Sequence, residues 1–164
     1  MKREEIVKEL KSLCAKLSQD LYPIVIGESS LVLQEILDET SSINLVVRDK
    51  LQYRKLKSLM EVIEEEETED WFYAEKKTVG LPSAYELTKP HFEFIRCKIN
   101  SLEIPIRPAS LIKEDYTHML RKMEEKARKN GWMEEFKETK TYQEIAEILK
   151  RLETFRLKKA ICLK

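Results

Sequence analysis

Residues 21–27 read Leu-Tyr-Pro-Ile-Val-Ile-Gly, and this segment constrains the chain more than any other. A short apolar, β-branched run bounded by a turn residue is a buried strand rather than a helix. It ends at Gly27, one of only three glycines in the sequence. Residues 29–39 follow, with Leu31, Val32, Leu33, Ile36 and Leu37 spread over a broad face. That breadth predicts a well-buried helix, and Ser29 or Ser30 is placed to cap it. Residues 43–47 are a second apolar run and a second buried strand. The two strands are therefore expected side by side in one sheet, joined by the helix. They run parallel only if the helix crosses a face of the sheet, and antiparallel otherwise.

The flanking segments complete the architecture. Residues 3–19 carry Ile6, Leu10, Leu13, Cys14 and Leu17 at helical spacing. Residues 50–66 predict a third helix through Leu56, Leu59, Met60 and Ile63, running into an acidic stretch that ends at Asp70. Residues 70–79 read as a strand, and Gly80, Pro82 and Pro90 bracket a loop. Residues 92–99 and 102–106 alternate as the two arms of a hairpin turning at Asn100 and Ser101, with Glu93, Ile95, Cys97 and Ile99 on one face. Tyr116, Met119, Leu120, Met123 and Ala127 form a helical stripe stopped by Gly131. Thr141 and Glu144 have the spacing of a capping box opening a last helix, which packs through Ile145, Ile148, Leu149 and Leu152. The order predicts an α/β (or α+β) fold, a mixed sheet flanked by helices with a helical C-terminal part. The expected organisation is a single domain over residues 1–164, with residues 1–112 as the core and residues 113–164 packed on it.

Composition narrows the function classes. Lys plus Arg equals Asp plus Glu at 30 each, so net charge selects no partner. Charged residues make up 37%, with abundant Lys and Glu, a mix that leans toward a thermophile. Cys14, Cys97 and Cys162 are far apart and form no paired motif, which fits reduced thiols in a cytoplasmic protein and argues against a zinc site. No apolar run approaches a membrane span. No P-loop, Rossmann glycine pattern, HExxH or Ser/His/Asp order occurs. His91 and His118 are the only histidines and read as surface or packing residues. The basic residues of the C-terminal segment, from Lys150 to Lys164, suit a helix C-terminus. Arg54, Lys55 and Lys57 fit the solvated face of an amphipathic helix.

The strand ending at Gly27, the helix after it and the Ser42-Ile-Asn44 triplet opening the next strand resemble the core of the nucleotidyltransferase superfamily. The style is that of its small prokaryotic and archaeal members related to the AbiEii group. The resemblance covers roughly residues 3–112. It implies a glycine turn whose backbone N–H groups face a nucleotide at Gly27, Glu28, Ser29 and Ser30. It also implies a strand whose alternate positions carry two metal-binding aspartates, with a third acid on the hairpin, where Glu93 stands. Mg²⁺ and a nucleoside triphosphate would then be cofactor and substrate, if activity survives.

The chain departs from that pattern where the chemistry is done. Ser42 and Asn44 occupy the two aspartate positions, and Glu28 stands where a small residue is expected. Neutral oxygens supply little of the charge that a hard cation favours. The resemblance thus implies a degenerate site: no confident catalytic residue, no metal site, and a role as a nucleotide, nucleic-acid or protein binding module. Two alternatives compete with it. One is an active transferase with a rearranged site built on Glu28, Glu93 and Asp49. The other is an unrelated α/β interaction protein.

Overall fold

In a computed structural model of the chain, the described residues are 1–16, 23–46, 54–55, 58, 63–67, 71–75, 77–82 and 93–155. They fall into two compact units, one within Met1–Pro108 and the other within Ala109–Leu157. The boundary falls at the start of a helix, four residues before the expected end of the core at residue 112.

The first unit runs α1 (Arg3–Lys16), β1 (Ile24–Ile26), α2 (Gly27–Leu33), β2 (Ile43–Val46), β3 (Ile63–Glu67), β4 (Trp71–Glu75), β5 (Lys77–Pro82), β6 (Ile95–Ile99) and β7 (Leu102–Ile106). The strands lie in the order β3-β4-β5-β2-β1-β7-β6. The sheet is mixed. β1 pairs antiparallel with β2, aligning Ile26 with Asn44, and parallel with β7. The predicted neighbours are adjacent, and a connecting helix that does not cross the sheet leaves them antiparallel. The hairpin of β6 and β7 turns at Asn100 (φ 50°) and Ser101 (φ 67°). Two positive φ values in a two-residue loop match the right-handed twist of the arms.

Ile6, Leu10 and Leu13 of α1 are buried with Val25, Leu33, Leu45, Cys97, Ile99, Ile104 and Ile106 in one cluster. Burial of each large aliphatic chain contributes about 1.5–3 kcal/mol before entropy is counted. The predicted α1 stripe holds at Ile6, Leu10 and Leu13; residues 17–19 lie outside the described residues.

Several expectations change, and the strand expected at 70–79 is two strands, β4 and β5. The helix expected at 29–39 spans Gly27–Leu33, and its N-cap, Ile26, makes no side-chain cap. It closes where Glu35 takes φ 60° and the Ile36 N–H donates to the Leu31 carbonyl at 2.9 Å, the pattern of a left-handed helix stop. The helix expected at 50–66 does not persist through its end, because Ile63 begins β3. There the acidic run pairs antiparallel with β4, whose Trp-Phe-Tyr run is strongly β-forming. Such pairing overrides local helix preference, and an edge strand tolerates charge. Gly80 and Pro82 belong to β5 rather than a loop, with the proline at the strand end, where a missing N–H is tolerated. Leu56, Leu59, Met60 and Pro90 lie outside the described residues.

The second unit is α3 (Ala109–Asn130), α4 (Met133–Lys137) and α5 (Lys140–Thr154). Ile112 and Ala127 are buried, Tyr116, Leu120 and Met123 half-buried, and Met119 exposed. Gly131 takes φ 73° and ends α3 as expected. The cap of α5 is Thr139, whose hydroxyl accepts from the Tyr142 N–H at 3.3 Å, two residues ahead of the predicted Thr141. Ile145, Ile148 and Leu152 are buried as the periodicity required. Among the described residues, no helix is long and apolar enough to cross a membrane.

Candidate functional site

β1 delivers the chain into Gly27, and the register of β1 on β2 sets Ile26 opposite Asn44. Gly27 holds φ +56°, a left-handed conformation that a side chain would strain. A Cβ there would sit 3.4 Å from Asn44 Nδ2, so the turn lies directly against that amide.

Residues two apart on a strand share a face. Ser42 and Asn44 do so, and the Ser42 hydroxyl donates to Asn44 Oδ1 at 3.0 Å. Both are half-buried, while Ile43 and Leu45 between and beyond them are buried in the core. Thr40 extends the row: its hydroxyl donates to Glu28 Oε2 at 3.1 Å, with the Ser42 carbonyl at 3.3 Å. Gly27, Glu28, Ser42 and Asn44, four of the residues singled out from sequence, thus meet in one polar cluster. Thr40 is the member that sequence reading missed. Its signal was the alternation of polar residues at 40, 42 and 44, ahead of the apolar run.

Ser29 and Ser30 are placed differently. Both are 0% exposed. The Ser29 hydroxyl donates to the Ile26 carbonyl at 2.9 Å and accepts from the Asn44 N–H at 2.9 Å, pinning α2 to β2. The Ser30 hydroxyl donates to the Arg107 carbonyl at 2.8 Å and accepts from Gln34 Nε2 at 3.1 Å, tying α2 to the end of β7. These hydroxyls are committed within the protein, so only backbone and Glu28 remain at the turn to meet a ligand.

Glu93 precedes β6 and is exposed. The buried positions of β6 are Cys97 and Ile99, so the inward face expected for Glu93 begins only after it. Its carbonyl oxygen accepts from Arg107 Nη1 at 3.4 Å. Asp49, Lys57 and His91 lie outside the described residues; Arg54, Lys55 and His118 are exposed.

Chemically, the cluster offers two hydroxyls, an amide and one carboxylate. Asn44 Oδ1 already accepts the Ser42 proton, and only Glu28 carries charge. This donor set fits a two-metal phosphoryl-transfer centre poorly, because such a centre balances its cations with several carboxylates. No group of three or more His, Cys, Asp or Glu side chains among the described residues could hold a metal ion.

No protein-family model matches the chain, and no curated protein does. A solved structure is similar: a Thermotoga maritima protein whose own assignment as a nucleotidyltransferase is provisional. It superposes with a TM-score of 0.60 at 16% identity, covering 82% of this chain and 96% of that one. At such identity the likeness speaks to fold alone, and the fold is a nucleotidyltransferase-like mixed sheet flanked by helices.

Proposed function

We propose that this chain is a nucleotidyltransferase-fold domain of the small AbiEii-like kind that binds rather than transfers. Its catalytic motif has degenerated to Ser42 and Asn44. One observation carries the reading. The two side chains keep the shared face beside the glycine turn that paired aspartates would need, yet they hydrogen-bond to each other at 3.0 Å. Two carboxylates at that separation would repel unless a cation lay between them. Here a neutral donor–acceptor pair replaces both the charge and the need for the cation. Gly27 and Glu28 would then form the ligand-facing turn, with Ser29 and Ser30 holding it in place. A nucleotide, a nucleic acid or a protein partner remains the class of ligand.

Restoring the acids tests the reading. Ser42→Asp with Asn44→Asp replaces the neutral pair with two like charges, so the double variant melts below wild type without metal. Mn²⁺ relieves the repulsion by binding only the folded state, and it raises the melting temperature of the variant more than that of wild type. Paired thermal melts with and without Mn²⁺ read this out. Equal metal responses would mean that residues 42 and 44 do not face a metal-competent site. Mg²⁺-dependent nucleotide transfer by the unaltered protein would overturn the inactive reading directly.

A further inference from the structure

The second unit carries a charge pattern that the chain as a whole lacks. Residues 121–129 hold five cations, Arg121, Lys122, Lys126, Arg128 and Lys129, against two carboxylates, Glu124 and Glu125, in a protein of net charge zero. All five cations are exposed. None is in an ion pair among the described residues. Lys122, Lys126 and Lys129 follow i, i+4, i+7 and form one stripe, with the Cβ atoms of neighbours about 5–6 Å apart. Arg121 and Arg128 lie on the next stripe, separated by Glu125. The half-buried or buried Leu120, Met123 and Ala127 take the opposite side of α3. The helix dipole explains a cation or two in the last turn; it does not reach back to Arg121 and Lys122, because the effect fades within one turn.

Just past the C-terminus of α3 stands an exposed aromatic ring. Trp132 is 38% exposed, one of two large hydrophobic side chains so exposed among the described residues. Its place is fixed: Gly131 turns the chain with φ 73°, and the Trp132 N–H donates to the Ala127 carbonyl at 3.1 Å. That bond keeps residue 132 next to the last turn of α3, which carries Arg128 and Lys129. The indole is backed edge-on by Phe136, with ring centroids 6.2 Å apart, and Phe136 in turn packs against Tyr142 at 5.2 Å. Glu134, two residues further on, is drawn toward Lys137 at 3.7 Å.

We propose that the C-terminal half of α3 and Trp132 form a docking surface for single-stranded nucleic acid. Unpaired cations in a row complement a phosphate backbone, and an indole backed by Phe136 beside the last turn of the same helix offers a base something to stack on. An acidic peptide would use the cations but leave the ring idle, and a duplex keeps its bases stacked on each other. The surface belongs to the second unit and does not depend on what the Gly27 turn binds.

The test is fluorescence anisotropy of a labelled twenty-nucleotide oligothymidine with the full chain. A duplex of the same length and labelled polyglutamate serve as competing probes. The oligothymidine binds at low salt and is preferred over both. Trp132→Ala weakens it about 5- to 150-fold, the range for losing one stacked base, while Trp132→Phe retains most of the affinity. Arg128→Gln with Lys129→Gln lowers the slope of log K against log salt by about 1.4, from about 0.7 per phosphate released on a single strand. Circular dichroism confirms that each variant is folded. No oligothymidine binding by folded protein would overturn the proposal. So would equal affinity for all three probes, or unchanged binding in Trp132→Ala.

Discussion

Two pairs of polar side chains flank the Gly27 turn and do opposite work. Ser29 and Ser30 follow it on α2, are completely buried, and spend their hydroxyls on backbone and amide groups of β1, β2 and the end of β7. Ser42 and Asn44 face it from β2, are half-buried, and bond to each other. A serine just after a strand-ending glycine looks like a phosphate ligand, because helix N-termini bind anions. Burial leaves such a role to the backbone N–H groups, because the hydroxyls are committed inside the protein. The buried serine hydroxyls act as mortar, whereas Ser42 and Asn44 bond to each other at half-buried positions.

The contrast breaks most sharply at Ser29. Its hydroxyl, on a fully buried residue, is the partner of the Asn44 N–H. Ser29→Ala leaves that donor unsatisfied, which costs about 1–3 kcal/mol. Ser30→Ala should fall at the lower end, because Gln34 Nε2 retains the Arg107 carbonyl at 3.1 Å and the Ser30 carbonyl at 3.2 Å. Each kcal/mol lowers the melting temperature by about 2–4 °C in a chain of this size. Urea titrations of both variants measure the losses. A Ser29→Ala variant as stable as wild type would mean that the hydroxyl is not cement, and would return it to the list of ligand candidates.

Gly27 lies between the two pairs, against the Asn44 amide. Alanine there must hold φ +56°, a strain of about 1–2 kcal/mol. Its Cβ would meet Asn44 Nδ2 at an ordinary contact distance of 3.4 Å, so the cost is conformational rather than steric. Gly27→Ala should therefore cost the same in wild type and in an Asn44→Ala background. A difference beyond about 0.5 kcal/mol in the double-mutant cycle would show that the turn and the amide are coupled by contact instead.

The sequence disclosed the elements whose pattern is purely local. The Ile24–Ile26 strand, the Asn100–Ser101 hairpin, the Gly131 stop and the Ile145, Ile148, Leu152 stripe all follow from periodicity and turn chemistry. It hid what depends on partners distant in the chain. Residues 63–67 look helical until β4 pairs with them. Ser29 and Ser30 look like caps until Asn44 and Arg107, far along the sequence, claim their hydroxyls. Glu93 looked inward because alternation was extended past the strand's first residue, Ile95. The convergence of Glu28, Ser42 and Asn44 was legible, since a glycine turn and two alternate strand positions need only the β1–β2 register. Thr40 left only the polar alternation at 40, 42 and 44 as a signal, because it lies ahead of β2 and is held by Glu28 and by the backbone pairing of Thr40 N–H with the Met1 carbonyl at 3.0 Å.

The smallest expected effects come from the open pair, and they decide whether it is open. Ser42 and Asn44 are half-buried, so when either side chain is removed water can reach the atom left behind, and no desolvated group is orphaned. Ser42→Ala removes a donor that Asn44 Oδ1 replaces with solvent. Asn44→Ala keeps the backbone N–H that Ser29 holds, because that bond does not involve the amide. Each substitution should therefore cost about 0.5 kcal/mol or less, the range of surface changes away from buried features. The informative quantity is the contrast with Ser29→Ala, which removes a hydroxyl of the same size from the same neighbourhood. If Ser42→Ala destabilises as much as Ser29→Ala, the Ser42–Asn44 bond is part of the mortar, and these positions are held for folding rather than left for a ligand. A near-neutral Ser42→Ala beside a costly Ser29→Ala leaves β2 with a polar pair that stability does not require, which is what a retained binding face predicts.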